Sequence, residues 1–80
     1  MIVQSKKDAV IAVIEEVLGV APGTVTEETK AQDLEEWDSL AQVMMIGALE
    51  EKLGIAIPLD QAAEIASVRE ILDCAERSGL

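Results

Sequence analysis

Residues 37–54, WDSLAQVMMIGALEEKLG, form the stretch that decides the fold. The ten residues after its serine are apolar apart from one glutamine and one glycine. Asp38 is a favourable N-cap residue and Gly54 a favourable residue just past a helix end, so a helix is predicted from Asp38 to about Leu53. A helix with so few polar residues is normally buried on all sides.

This helix carries two apolar stripes when successive residues are placed 100° apart. The bulkier stripe, assigned to the core, consists of Met45, Ile46, Leu49 and Leu53. The second stripe, on nearly the opposite side, consists of Leu40, Val43, Met44 and Gly47. An 80-residue chain has too few other elements to bury both stripes. We therefore expect the second stripe to be partly exposed and to mark an interaction site; the alternative is that the small domain wraps around it.

An additional helix is predicted on the N-terminal side of this stretch. Ser5 with Asp8 three residues later is an imperfect capping box. Apolar residues then recur at helical spacing, while Glu15 and Glu16 fall outside their stripe. The stripe consists of Val10, Val13, Ile14, Val17 and Leu18. Gly19 ends the helix.

Residues 19–37 lack a sustained periodicity and predict a long ordered loop. This segment contains the Pro22-Gly23 pair, three threonines and scattered acidic residues. Three apolar residues are expected to hold it against the core: Val20, Val25 and Leu34. A loop of this length in a small domain is usually functional.

The C-terminal side predicts one short helix and one longer helix. Residues 55–58 are interpreted as a buried connection, and residues 60–65 as one or two helical turns. Ser67 with Glu70 is a full capping box, and Gly79 lies just past the predicted helix end. The predicted fold is all-α, a four-helix bundle of three longer helices and one short helix, with residues 1–80 as a single domain.

The composition excludes several classes of function. Six Lys and Arg oppose sixteen Asp and Glu, for a net charge of −10. A chain without a basic patch does not neutralise phosphates, so nucleic-acid binding is excluded and basic proteins are the expected partners. The absence of histidine excludes Ser–His and Cys–His nucleophile pairs and imidazole metal sites.

The expected location is the cytoplasm. Cys74 is the single cysteine, so an internal disulfide cannot form, which fits a reducing compartment. No apolar run approaches the roughly 18–20 residues of a membrane span, so no membrane insertion is expected. The first ten residues, MIVQSKKDAV, lack the apolar core of a signal peptide.

Ser39 is the candidate attachment residue because it occupies the first helical position after Asp38. A hydroxyl at this position points away from the helix body, and an anion bonded to it lies near unpaired N–H groups and the positive end of the helix dipole. The site therefore suits a phosphate ester. The alternative is that the Asp-Ser pair serves only to cap the helix.

The sequence resembles the acyl carrier protein family over nearly its whole length. Residues 33–40, DLEEWDSL, resemble the attachment motif of the family, and residues 24–29, TVTEET, resemble its long loop. Residues 49–53 with Ile57-Pro58 are similar to the end of the second helix and the segment that follows it. Residues 65–68 are similar to the start of the last helix. The four similarities occur in the family's order.

This resemblance implies a carrier rather than an enzyme. Ser39 would receive 4′-phosphopantetheine from coenzyme A through a separate phosphopantetheinyl transferase, and Asp38 would help that transferase hold its magnesium ion. The thiol of the arm would carry an acyl or aminoacyl group as a thioester. A loading enzyme and downstream transferases would bind a monomeric carrier at these residues: Leu40, Val43, Met44, Gly47, Glu50 and Glu51.

Departures from the family pattern favour a specialised biosynthetic pathway over general fatty-acid synthesis. Trp37 stands where the family has a small residue, and Glu35 stands where it has glycine. Ala41 and Met44 occupy positions where fatty-acid carriers have acidic residues, whereas Glu50 keeps the acid near the helix end.

Alternative interpretations accompany the carrier hypothesis. The chain as a whole is alternatively an unmodified helical adaptor that binds partners through the second stripe. Glu35, Glu36 and Asp38 are either a loose divalent-cation site or a solvated acidic loop. Trp37 either stacks on a ligand or anchors the loop, and Cys74 is either a redox thiol or a packing residue.

Overall fold

Residues 4–79, which the computed structural model describes, form four α-helices and one short 3₁₀ turn. Their bounds are α1 Gln4–Leu18, the 3₁₀ turn Ala31–Asp33, α2 Ser39–Leu53, α3 Leu59–Ala62 and α4 Val68–Arg77. Within this described part no strand occurs, and one isolated antiparallel bridge joins Lys30 to Ser67. The predicted all-α fold, with three longer helices and one short helix, is confirmed.

The hydrophobic core lies between α1, α2, α4 and the segment that follows α2. α1 packs against both α2 and α4, and α3 packs against α2. The largest side chains with almost no exposed surface come from α1, α2, α4 and the segment after α2: Val10, Ile14, Met45, Leu49, Ile55, Val68 and Ile71. Burial of each such side chain favours folding by about 1.5–3 kcal/mol.

Local capping residues fix the bounds of α2 and α4 as predicted. The Asp38 carboxylate accepts a hydrogen bond of 2.8 Å from the N–H of Ala41. Gly54 ends α2 in the left-handed conformation, at φ 68°, which a residue without a Cβ adopts easily. At the start of α4, the Ser67 hydroxyl accepts from the N–H of Glu70 and donates to its carboxylate.

Two predictions about α1 are wrong. α1 already includes Gln4, so Ser5 lies inside the first turn and does not cap the helix. Glu15, predicted to fall outside the core stripe, is 8% exposed. Its carboxylate accepts hydrogen bonds from the N–H groups of Gly23 (2.8 Å) and Val25 (3.1 Å). Glu15 therefore holds the following loop against α1.

The long loop before α2 is ordered, as predicted, by backbone contacts with the start of α4. The N–H of Ala31 donates to the carbonyl of Ala66 at 2.8 Å, and the N–H of Val68 donates to the carbonyl of Thr29 at 3.0 Å. Val25 is buried within the core. The loop thus delivers Trp37 and Asp38 to the start of α2 in a fixed position.

Candidate functional site

Ser39 is exposed at the first residue of α2, at the position where the sequence predicted it. The turn before it is closed by two backbone hydrogen bonds, from the N–H of Trp37 to the carbonyl of Leu34 and from the N–H of Asp38 to the carbonyl of Glu36. Asp38 caps the helix directly beside it. A helix N-terminus stabilises a bound anion through its N–H groups and its dipole, so the Ser39 hydroxyl is suitably placed to carry a phosphate ester.

A solvent-open groove of about 550 Å³ lies next to Ser39. We call it the Ser39 groove. It is lined by Ala31, Trp37, Asp38, Ser39, Gln42, Val43, Ala63 and Ile65. The groove therefore runs from the end of the loop, along one side of α2, to the segment around α3. A volume of this size is in the range that receives small molecules in proteins.

Gln42 connects both sides of the Ser39 groove. Its Oε1 accepts a hydrogen bond of 2.5 Å from the indole N–H of Trp37, and its Nε2 donates to the carbonyls of Ala62 (2.7 Å) and Ile65 (2.8 Å). Gln42 was not predicted as a site residue, although it is the one polar residue in the apolar run from Leu40 to Leu49. Trp37 is 7% exposed and bonded to Gln42, an arrangement that suits the interpretation of Trp37 as a loop anchor.

The outer face of α2 is apolar and exposed. Leu40 is 69% exposed, Val43 68% and Met44 54%, whereas Met45 is 1% exposed and Leu49 is fully buried. Gly47 lies on the exposed face as well. We call Leu40, Val43, Met44 and Gly47 the exposed apolar patch. The prediction that the second stripe is exposed is confirmed.

The predicted core stripe of α2 requires a correction. Ala41 is buried together with Met45 and Leu49, so the buried face follows every fourth residue. Ile46 and Leu53 are only partly buried at its edge. Ala41 therefore belongs to the buried face of α2.

Charge is concentrated at the two ends of α2 and is absent from its middle. Glu35, Glu36 and Asp38 are exposed before the helix, and Glu50 and Glu51 are exposed near its end. No ionisable side chain lies between Ser39 and Leu49. The exposed apolar patch is therefore an uncharged surface between two acidic ends.

The alternative roles for the acidic loop and for Cys74 gain no support. Among residues 4–79, no three Asp, Glu, Cys or His side chains converge to hold a metal ion. Cys74 is 5% exposed on α4, where it packs within the core. The described helices include none that is long and apolar enough to cross a membrane.

Comparison with known proteins identifies the family. The family model for the phosphopantetheine attachment site matches residues 8–75. An acyl carrier protein of Sulfurovum sp. is 43% identical over 65 residues, which cover 81% of this chain and 87% of that protein. The chain belongs to the acyl carrier protein family. A non-reducing polyketide synthase of Aspergillus terreus is 30% identical over 69 residues, which are 86% of this chain and 3% of the synthase.

A solved structure supports the same assignment. The solution NMR structure of a holo acyl carrier protein from Geobacter metallireducens matches with a TM-score of 0.78 and 26% sequence identity. The match covers 90% of this chain and 83% of that one. Members of the family are carriers and not enzymes, so this chain holds acyl intermediates on a covalent 4′-phosphopantetheine cofactor. Its partners include a phosphopantetheinyl transferase and biosynthetic enzymes.

Proposed function

We propose that Ser39 is the residue that bears 4′-phosphopantetheine, and that enzymes reach the arm by binding the exposed apolar patch. The observation that carries the proposal is the position of the Ser39 hydroxyl: exposed, at the N-terminus of a long helix, and bordering a groove. A phosphodiester at this position is stabilised by the N–H groups of the first helical turn. Ser39 therefore fits the cofactor of the family.

The other serines are less suitable. The Ser67 hydroxyl is already used as both hydrogen-bond acceptor and donor, because it accepts from the N–H of Glu70 and donates to the Glu70 carboxylate. The Ser78 hydroxyl donates to the carbonyl of Ala56 at 3.3 Å. Ser5 lies on α1 and is not among the residues that line the Ser39 groove.

Asp38 serves two purposes in this proposal. One carboxylate oxygen caps α2 through the N–H of Ala41 and fixes the orientation of the loop end beside Ser39. The second oxygen is available to a magnesium ion held by the transferase, since carboxylate oxygens are preferred magnesium ligands. Asp38 thus contributes to modification without any catalytic group in the carrier itself.

The arm supplies a thiol, on which the acyl or aminoacyl group is held as a thioester. The chain supplies position and recognition: Ser39 anchors the arm, the Ser39 groove offers a surface beside it, and the exposed apolar patch adjoins both. Glu50 and Glu51 extend the binding surface toward the end of α2. Any enzyme that reaches the arm has to cover these neighbouring residues.

The uncharged middle of α2 supports a dedicated loading enzyme and a specialised pathway. A partner that recognises Leu40, Val43 and Met44 gains about 1.5–3 kcal/mol for each apolar side chain that it buries. An exposed ion pair contributes only about 0–1 kcal/mol. The proposed partner therefore has an apolar centre with basic residues opposite Glu50 and Glu51. We propose in addition that the carrier is a cytoplasmic monomer.

Intact mass spectrometry tests the attachment residue. The protein is incubated with coenzyme A and a phosphopantetheinyl transferase, and the parent should gain one phosphopantetheinyl group. Ser39→Ala should keep its helical circular dichroism and gain no mass. The matched control, Ser78→Ala, should gain the same mass as the parent. Attachment to Ser39→Ala contradicts the proposal, and a parent that gains no mass favours the unmodified adaptor.

A further inference from the structure

The side chain of Gln42 joins three segments of the chain next to Ser39. Its Oε1 accepts from the Trp37 indole N–H at the end of the loop. Its Nε2 donates to two carbonyls, one at Ala62, the last residue of α3, and one at Ile65. Both amide hydrogens are thus used within the protein. No other side chain among the described residues bridges α2 to these carbonyls.

These hydrogen bonds close the seam between α2 and the α3 segment, residues 59–66. An apolar group that enters the core from the Ser39 groove has to separate Gln42 from Ala62 and Ile65. That separation leaves two carbonyls and an amide without partners in a half-buried place, which is unfavourable. The seam is therefore held shut by polar groups, although the groove walls include Val43 and Ala63.

We propose that Gln42 is a specificity-determining residue that keeps the cargo outside the core. A group attached through Ser39 then rests in the open Ser39 groove, in contact with Trp37 and Gln42. A long alkyl chain gains no burial in the core and only partial cover in the open groove, so its length contributes little to its retention. The cargo that fits this arrangement is a short or polar acyl or aminoacyl group. The inference rests on the proposed attachment at Ser39.

The experiment compares three thioesters on the same carrier. The transferase loads acetyl-, hexanoyl- and decanoyl-phosphopantetheine from the corresponding coenzyme A thioesters, and intact mass confirms each product. The rate of thioester cleavage by neutral hydroxylamine then measures how well the protein shelters the group, and Tm measures stabilisation of the fold by bound cargo. Neither measurement depends on a partner enzyme.

Chain length should have no systematic effect on the parent carrier in either measurement. Gln42→Leu removes the three hydrogen bonds at similar side-chain size and makes the seam apolar. Burial of even two methylene groups corresponds to about tenfold in an equilibrium constant. The decanoyl form of Gln42→Leu should therefore react about tenfold more slowly than its acetyl form and melt at a higher temperature. Gln4→Leu, the same change on exposed α1, should behave like the parent.

Three outcomes overturn the inference. One is strong protection of the decanoyl form in the parent, which needs no variant to fold. Another is a folded Gln42→Leu carrier in which chain length still has no effect. Failure of the parent to gain mass overturns the proposed attachment and this inference together, whereas normal loading with a protected decanoyl group overturns the inference alone.

Discussion

The helices α2 and α4 use their apolar residues in different ways. α4 is amphipathic: Val68, Ile71, Leu72, Cys74 and Ala75 are buried, and the charged residues between them are exposed. α2 is longer and more apolar, yet only Ala41, Met45 and Leu49 are buried. Its largest exposed side chains, Leu40, Val43 and Met44, face solvent.

This difference separates the residues that determine the fold from those that we propose to bind partners. Every apolar residue of α4 is buried, so packing against the core is sufficient to explain the apolar pattern of this helix. In α2, three buried residues and the partly buried residues beside them supply the contact with the core, and the exposed apolar patch contributes little to it. Exposed apolar surface is unfavourable in water, so its presence beside Ser39 indicates a role in binding.

The largest expected effect is on stability, when a buried side chain of α2 is truncated and compared with an exposed one. Leu49→Ala removes a fully buried side chain and should lower the free energy of unfolding by about 2–5 kcal/mol, through lost burial and a cavity. Val43→Ala removes an exposed side chain and should change it by less than about 0.5 kcal/mol. Urea denaturation of both variants measures the difference. Equal losses would show that the exposed apolar patch is part of the core.

Local sequence signals were sufficient to predict most of the fold. The caps at Asp38 and Ser67 interact with backbone groups three residues away, and the left-handed Gly54 follows directly after α2, so short motifs predict them. Glu15 was wrongly predicted because its partners are the N–H groups of Gly23 and Val25, eight and ten residues away. Only the folded loop brings those groups to the carboxylate.

The candidate site was predictable in part for the same reason. Ser39 and the exposed stripe follow from helical spacing and a cap. Gln42 has partners five, 20 and 23 residues away, so its role depends on tertiary packing that no local motif reports. Ile46 was assigned to the centre of the core because apolar residues on adjacent rows are equivalent in an ideal helical projection. The row of Ala41, Met45 and Leu49 is buried, whereas Ile46 packs only at the edge of the core.

A charge placed on the exposed apolar patch gives the next largest effect. Met44→Glu should leave Tm nearly unchanged, because Met44 is 54% exposed. It should lower kcat/KM of the proposed loading enzyme about tenfold or more, since burying one apolar side chain at an interface contributes about 1.5–3 kcal/mol. Loading kinetics and thermal melting are measured on the same samples.

The control for this variant is Ala12→Glu, which adds the same charge at an exposed position of α1. It should change loading and Tm only slightly, because salt screens a single charge on the surface. A collapse of Tm in Met44→Glu would show that Met44 packs in the core. Unchanged loading would show that enzymes bind elsewhere and that the contrast between α2 and α4 has no functional meaning.

The smallest effect is expected from the addition of a single methyl group at Gly47, which tests whether a partner approaches the backbone of α2 closely. A Cβ built at Gly47 meets no atom within 4 Å, so alanine fits the free protein without a clash. Gly47→Ala should stabilise α2 by about 0.5–1 kcal/mol and raise Tm by about 2–8 °C, because glycine is a poor helix former. Asp73→Ala, at an exposed position of α4, is the control that improves helix propensity away from the patch. If a partner approaches the α2 backbone closely, Gly47→Ala should load more slowly despite its higher Tm, while Asp73→Ala loads normally. Higher stability with unchanged loading in both variants would restrict the enzyme contact to Leu40, Val43 and Met44.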